Sequence, residues 1–418
     1  MLNTKSNKKI LLFIMVIFVF LVLAADVLAQ QGAGLIEEQT GSVEIIETSN
    51  KTTAEAKLAV ESVAAPIGTL ETAIAPAPSD AKLETNISGV SSKEVEIANV
   101  TSQAAISRPI AVMIENEPPA RPQSGLYAAK VLFEVQAEEV TRFMAIYYDL
   151  AESFEIGPIR SARHYFVDIS TMFDAAYVHV GGSPMGLAEI AERKINNINA
   201  IKGDRGFYRT NDRRIPHNLY AKLPNLKKEM ERKKYKTETN KKFPFEFYPA
   251  AKTSEEFIAA GISGKKISKI HIPYSRGYRV SYELGSGDNR FTRLYNDKPF
   301  KDCRNSNVVG ADNVVIMRCS MHMIDEQMRH EMDLYEGGTC EIAIGGHFFT
   351  GSWDRDRTSG AFKFFDANLN DVKFNPGNII IHIIPPKQQV IVDGETHAYQ
   401  QGDKGKSKKS KNGEEADE

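Results

Sequence analysis

The sequence predicts an α+β protein, with a mixed α/β domain at residues 108–242 and a smaller β-rich domain at 243–390. Three observations carry that expectation. Short apolar runs rich in β-branched and aromatic residues recur from Ile110 onward, with the length and composition of buried strands. One segment, "GPIRSARHYFVDISTMF", interrupts them with Ala162, Phe166, Ile169 and Phe173 at helical spacing. Beyond about Lys242 the signals are mostly short strands with turn residues between them. A chain of 418 residues has room for two such domains.

Ahead of this region, Lys5, Lys8 and Lys9 precede an unbroken apolar run from Ile10 to Ala25. Small residues follow before Gln30, so residues 1–29 read as a secretory signal cleaved after Ala29, or as an uncleaved anchor. The run is shorter than the roughly 20 residues of a comfortable membrane span. Either outcome places the rest of the chain outside the cytoplasm, secreted or held by its N-terminal segment, which is the only membrane contact expected. Residues 30–107 contain no Phe, Tyr or Trp and have little to bury. They are expected to form a disordered tether with a span on the order of 50 Å. The tail at 391–418 mixes lysines with acids and is expected to be disordered as well. The net charge of −2 argues against general affinity for nucleic acid.

Within the first domain, "PIAVMIE", "KVLFEVQ" and "TRFMAIYYDL" read as strands, followed by the amphipathic helix. The strand "AAYVHV" then meets Gly181 and Gly182 before a helix carrying Leu187, Ile190 and Ala191 on one stripe. A basic helix, "LPNLKKEMERKKYK", closes the domain. Cys303, Cys319 and Cys340 lie in the second domain without CxxC or Cys/His zinc spacing. Two of them could bridge in an oxidising compartment; a reduced, structural role is the preferred reading, and the pairing stays open.

The chemistry-bearing residues fall in three places. Ser183 followed by Pro184 matches a helix N-cap with proline at the first helical position. Gly181, Gly182 and Ser183 also stand where a strand end meets a helix N-terminus, an arrangement that binds anions on other folds. Arg160 and Arg163 sit three apart at the expected helix start, where cations are unfavourable by roughly 0.3–1 kcal/mol. They call for a negative partner, either an internal acid such as Glu134, Glu138 or Glu139 or a bound anion. Finally, "RGFYRTNDRRIPHNLY" gathers Arg209, His217 and Asn218 in a loop, and His217 has the titration range of a proton carrier. His179 is a second such residue, or a satisfied core histidine. Ser183, His217 and Glu138 can be written as a nucleophile set, though no nucleophile-elbow or lysine-paired serine motif accompanies them. No metal or cofactor is expected, including in the methionine-rich stretch from Met317, which reads as one face of a strand.

Several motifs together resemble a known family. They are "RPIAVMIEN", "ARPQSGL", "FEVQAEEVTRFMAIYY", "IGPIRSARHYFVDIS", "YVHVGGSP", "FYRTNDRRIPHNLY" and the late "VKFNPGNIIIHIIPP". In this order they are similar to the YerB-like lipoproteins, a two-part domain-of-unknown-function family of the bacterial envelope. The resemblance covers about Arg108 to Pro386. It implies an extracytoplasmic protein with an α/β first part and a β-rich second part, and it brings no activity. The matching positions include Arg121, Gln123, Ser124, Gly125, Glu134, Glu138, Thr141 and Arg142. They continue with Arg160, Ser161, Arg163, His179, Gly181, Gly182, Ser183, Arg209, Pro216, His217 and Asn218. Family members are often lipid-anchored through a cysteine after the signal, and here no cysteine precedes Cys303.

The leading functional expectation is therefore an envelope binding or accessory module. Arg160, Arg163, Gly181, Gly182, Ser183, Arg209, His217 and Asn218 would receive an anionic wall component. The alternatives are a cell-wall hydrolase or transferase using His217 or His179 with Glu138, and an envelope scaffold that meets a protein partner through the C-terminal β edge and Trp353.

Overall fold

A computed structural model of the chain describes residues 106–397 apart from Asp288; the leader, nearly all of the tether and the tail beyond His397 lie outside the described residues. An eleven-stranded sheet organises the fold. In spatial order it runs Lys265–Lys266, His347–Arg355, Gly338–Ile344, Asn313–Arg318, Ile379–Ile384, Val131–Ala137, Val140–Tyr147, Ile110–Ile114, Ala176–His179 and Asn197–Asn199, with Phe362–Phe365 joined to His347–Arg355. Three central strands, Asn313–Arg318, Ile379–Ile384 and Val131–Ala137, are parallel. So are Ile110–Ile114, Ala176–His179 and Asn197–Asn199. The central strands are buried along most of their length, which explains why they read as continuous apolar runs in place of alternating ones.

Alternation along each strand divides the core in two. Val112, Ile114, Leu132, Val314, Ile316 and Ile380 point to one face and pack with Ile270, Ile272, Val280 and Phe291 of a seven-stranded antiparallel sheet. Met113, Phe133, Val135, Val315, Met317 and Ile381 point to the other. There they meet the helix α1 (His164–Thr171), Trp353 and Phe362. Helix α2 (Pro184–Glu192) packs beside α1. A three-stranded sheet of Glu155–Ile156, Phe207–Arg209 and Leu219–Lys222 carries the arginine-rich loop.

The main sheet draws strands from both sides of residue 242, so the boundary expected there runs through a shared sheet, and the described residues form one compact unit. The protein is also richer in strand than the α+β expectation conveys. Strand pairing reaches upstream of the expected start at Arg108, because Ile106 and Ser107 pair with Thr239 and Glu238. It continues past 390 as well: Val390 and Val392 are buried, and Val390–Val392 pairs with Glu395–His397. Among the described residues no helix is long and apolar enough to cross a membrane.

Candidate functional site

The site forms where the strand Ile110–Ile114 ends beside its parallel neighbour Ala176–His179. The segment from Gly157 to Ala162 is laced across these two strand ends by backbone hydrogen bonds. Glu115 N donates to Pro158 O (2.9 Å), Arg160 N to Met113 O (3.0 Å), Val180 N to Arg160 O (3.1 Å) and Ala162 N to Gly181 O (3.0 Å). This lacing keeps the segment extended up to Arg163, at φ −132° and ψ 147°, and α1 begins only at His164. Arg160 and Arg163 therefore precede the helix and do not share a helical face, which corrects the sequence expectation. Their side chains go to different acids.

Arg160 meets Glu115 and Glu117. Its Nε lies 3.2 Å from Glu115 Oε1, and its Nη2 donates to Glu117 Oε1 at 2.8 Å. His217 joins the same carboxylate, with Nδ1 2.9 Å from Glu115 Oε1. An anionic acceptor at Nδ1 fixes the proton there and leaves Nε2 without a partner among the described residues. Glu115 is 1% exposed, yet its Oε2 is sealed from solvent with no hydrogen-bond donor. Burial raises the Glu115 carboxyl above the usual range, against the opposing pull of Arg160 and His217. At Glu117 burial acts in the same sense, but the hydrogen bond and charge of Arg160 outweigh it and hold that carboxyl low.

The loop that brings His217 here is fastened by its arginines. Arg213 donates to Ala120 O (2.5 Å) and Pro122 O (2.6 Å), and Arg209 donates to Asn218 Oδ1 (2.7 Å). Asn218 Nδ2 returns to Thr210 O at 2.7 Å. Arg209 and Asn218 thus brace the loop.

The remaining expected residues are separated from this cluster. Arg163 donates to Glu138 Oε1 (2.5 Å) and Ala162 O (2.8 Å), while Arg142 takes Glu138 Oε2 at 3.1 Å. Glu138 is thereby spent on two guanidinium groups and orients no histidine. His179 is fully buried, with Nδ1 2.6 Å from Gly181 O and Nε2 3.3 Å from Asn197 Oδ1, and burial lowers its pKa. It is a satisfied core residue. Ser183 caps α2 by accepting from Gly186 N at 3.1 Å. Gly181 adopts φ 60° and gives its N–H to Asn199 Oδ1 at 3.0 Å; Ser183 N donates to Ala162 O at 3.1 Å. A Cβ at Gly182 would press on Ala162 and Leu187 at 3.1 Å. The glycine turn is therefore filled by the protein's own groups, which removes the expected anion nest. The side chains of Ser183, His217 and Glu138 share no hydrogen bond with one another, so the nucleophile set does not assemble.

A concavity of about 830 Å³ lies at Thr171, Asp174 and residues 236–241 and includes none of the expected site residues. Trp353 is 2% exposed and donates to Arg318 O at 3.0 Å, so it is a core residue and no recognition surface. The three cysteines are free thiols.

Sequence reading missed Glu115 and Glu117 as site residues, and it also missed a polar cluster sealed between the two large sheets. Glu134 accepts from Thr141 (2.7 Å), Tyr278 (2.5 Å) and Arg293 (2.7 Å). Its registered neighbour His382 lies 3.5 Å away, with Tyr274 and Tyr282 on its two ring nitrogens at 2.8 and 2.7 Å. Glu134, Arg293 and His382 are all fully buried. Asn116 connects the two clusters: its Nδ2 donates to Thr141, and its Oδ1 accepts from Arg121 and Gln123.

A strand-dominated, two-part module with a sealed ionic centre and a charged rim at parallel strand ends is the class these features define. The chain belongs to the DUF3048 family. Residues 97–236 match the description "Protein of unknown function (DUF3048) N-terminal domain" and residues 270–381 match its C-terminal domain. The chain is 31% identical over 288 residues to "Putative lipoprotein YerB" of Bacillus subtilis (strain 168), spanning 66% of this chain and 81% of that protein. A crystal structure of the YerB protein from Bacillus subtilis is similar with a TM-score of 0.59 at 29% identity, covering 67% of this chain and 91% of that one. The family indicated by the motifs is thus the family to which the chain belongs.

Proposed function

We propose that the protein is an extracytoplasmic accessory module of the cell envelope that engages a carboxylate- or phosphate-bearing wall component at the Arg160–His217 rim. One observation carries this reading: a single buried carboxylate, Glu115, holds Arg160 and His217 side by side from distant segments, while their side chains remain 23% and 16% exposed. Donors fixed in advance lose less entropy on binding, and arginine suits planar anionic groups. The location rests on the apolar N-terminal run and on the word lipoprotein in the relative's name. The test is retention of the detergent-solubilised full-length chain on purified cell-wall sacculi. Arg160→Ala and His217→Ala should lose retention, and Arg163→Ala, whose side chain serves Glu138, should keep it. Equal retention by all three would sink the proposal.

A second reading, acid–base chemistry on wall material, is favoured by one feature. Glu115 fixes His217 as a carboxylate fixes the imidazole of a general base, with Nε2 directed away from it. Turnover of wall material between pH 5 and 9 that disappears in His217→Ala would establish it; an inert wild-type chain would rule it out.

A further inference from the structure

Glu115, Glu117 and His217 each offer a ligand atom, and the three atoms lie within 4.8 Å of one another. Two atoms bound at about 2.1 Å to one first-row metal sit about 3 Å apart when they subtend an octahedral angle. His217 Nδ1 and Glu115 Oε1, at 2.9 Å, already hold that spacing. A second, independent observation comes from Glu115 Oε2, which is sealed from solvent with no donor although the carboxylate faces a histidine and an arginine. The nearest amide does not serve it, because Gln123 Nε2 is committed to Glu115 O and Asn116 Oδ1. Buried carboxylate oxygens are ordinarily satisfied, and of the orphaned ones on Glu115, Glu155 and Glu341 that of Glu115 alone belongs, among the described residues, to a cluster with metal-ligand spacing.

We propose that Glu115, Glu117 and His217 bind one divalent transition-metal ion, with Arg160 kept beside the carboxylates as an outer hydrogen-bond donor. One imidazole with two carboxylates suits Zn²⁺ or Mn²⁺ better than Ca²⁺, which prefers oxygen alone, or Cu⁺, which prefers sulfur. Metal coordination requires the Nδ1 lone pair of His217, so loading displaces the proton that otherwise bridges to Glu115. Three protein ligands leave a coordination position open, and two carboxylates, one guanidinium and a divalent ion give the cluster a net positive charge. A carboxylate or phosphate oxygen of a wall component fits that position. In this respect the inference deepens the envelope-binding reading and rests on it for the ligand class, while the metal rests on the geometry alone.

The test uses full-length protein in detergent, stripped with EDTA and titrated with ZnCl₂ and MnCl₂ by calorimetry. One equivalent of at least one metal should bind, at least tenfold more weakly in Glu117→Gln and in His217→Ala, and unchanged in Arg163→Ala. Glu117 is 33% exposed, so its variant should keep the wild-type melting temperature and exclude misfolding as the cause. Absence of binding by the wild type would overturn the proposal, as would binding indifferent to both variants. Loss of the site in a His322→Ala/His330→Ala variant would place the metal on the Met321–Met332 hairpin and overturn it equally. Retention on sacculi with and without EDTA then separates the two readings. Metal bound without retention supports the site and removes the wall ligand, whereas EDTA-insensitive retention by a chain that takes up no metal removes the site alone.

Discussion

Glu134–Arg293–His382 in the interior and Glu115–Arg160–His217 at the rim are built from the same three residue types, and they differ in how completely the carboxylate and the imidazole are matched. Inside, both carboxylate oxygens have donors and both imidazole nitrogens have a tyrosine, while Arg293 Nε and Nη1 make no hydrogen bond and the guanidinium lies over the rings of Phe143 and Phe300. At the rim, among the described residues, one carboxylate oxygen has no donor and one imidazole nitrogen has no partner, and the arginine and histidine stay partly exposed. A buried charge pair whose carboxylate is fully hydrogen-bonded fixes how two sheets meet. A partly matched one at strand ends retains capacity for something from outside. On the proposed reading, similar composition serves assembly in one place and recognition in the other.

The largest expected effect tests the sealed side. Arg293→Met leaves Glu134 buried without its countercharge and should cost about 3–5 kcal/mol in urea unfolding. Adding Glu134→Gln should recover much of that loss; a cost under about 1 kcal/mol for the single variant would mean the interior cluster is not sealed.

Acid comes next. Burial lowers the His382 pKa from 6.5 to about 4. The unfolded chain therefore takes up this proton below about pH 6.5, and the native state does so only near pH 4, so stability falls as pH drops through that window. The loss should reach about 3 kcal/mol. Glu134, held below the usual carboxyl range although burial opposes it, adds to the loss below its unfolded pKa of 4.5. Unfolding between pH 7 and 4 should show this slope in the wild type, with a shallower one in His382→Gln.

Smaller effects follow at the glycine turn. Gly181→Ala forces a side chain into φ 60° and within 2.7 Å of Ile201, and should cost about 1–2 kcal/mol. Ser183→Ala removes only the cap of α2, about 1 kcal/mol by thermal melting. His217→Ala should change stability least, by ~0.5 kcal/mol or less, while abolishing binding at the rim. A large stability loss there would assign the rim to structure, and the contrast between the two clusters would collapse.

Local patterns made much of this fold legible. The strands Ile110–Ile114 and Val131–Ala137 match the apolar runs that indicated them to within a residue or so at each end, and α2 starts at the Ser-Pro pair as capping chemistry requires. The helix containing Phe166 and Ile169 was readable from periodicity, but its start was not. Periodicity does not register the backbone lacing that holds Arg160 extended. The polar character of the loop carrying His217 is legible in the sequence, whereas the acid beside His217 is Glu115 in place of the expected Glu138. Nothing within a window of residues links positions 102 apart. The signal that would have found Glu115 is its position as the first acid after a buried strand, where parallel sheets gather their chemistry. The pairing of Glu134 with His382 was invisible for the same reason, since it arises from strands at opposite ends of the described chain.

That central pairing also governs how the molecule can be divided. Ile379–Ile384 lies hydrogen-bonded between Asn313–Arg318 on one side and Val131–Ala137 on the other. Separating the two family modules at residue 242 would strip the isoleucine-rich strand Ile379–Ile384 of one neighbour and leave its amides and carbonyls open to any passing chain. Expressed alone, either half should self-associate, so the smallest well-behaved fragment is the pair.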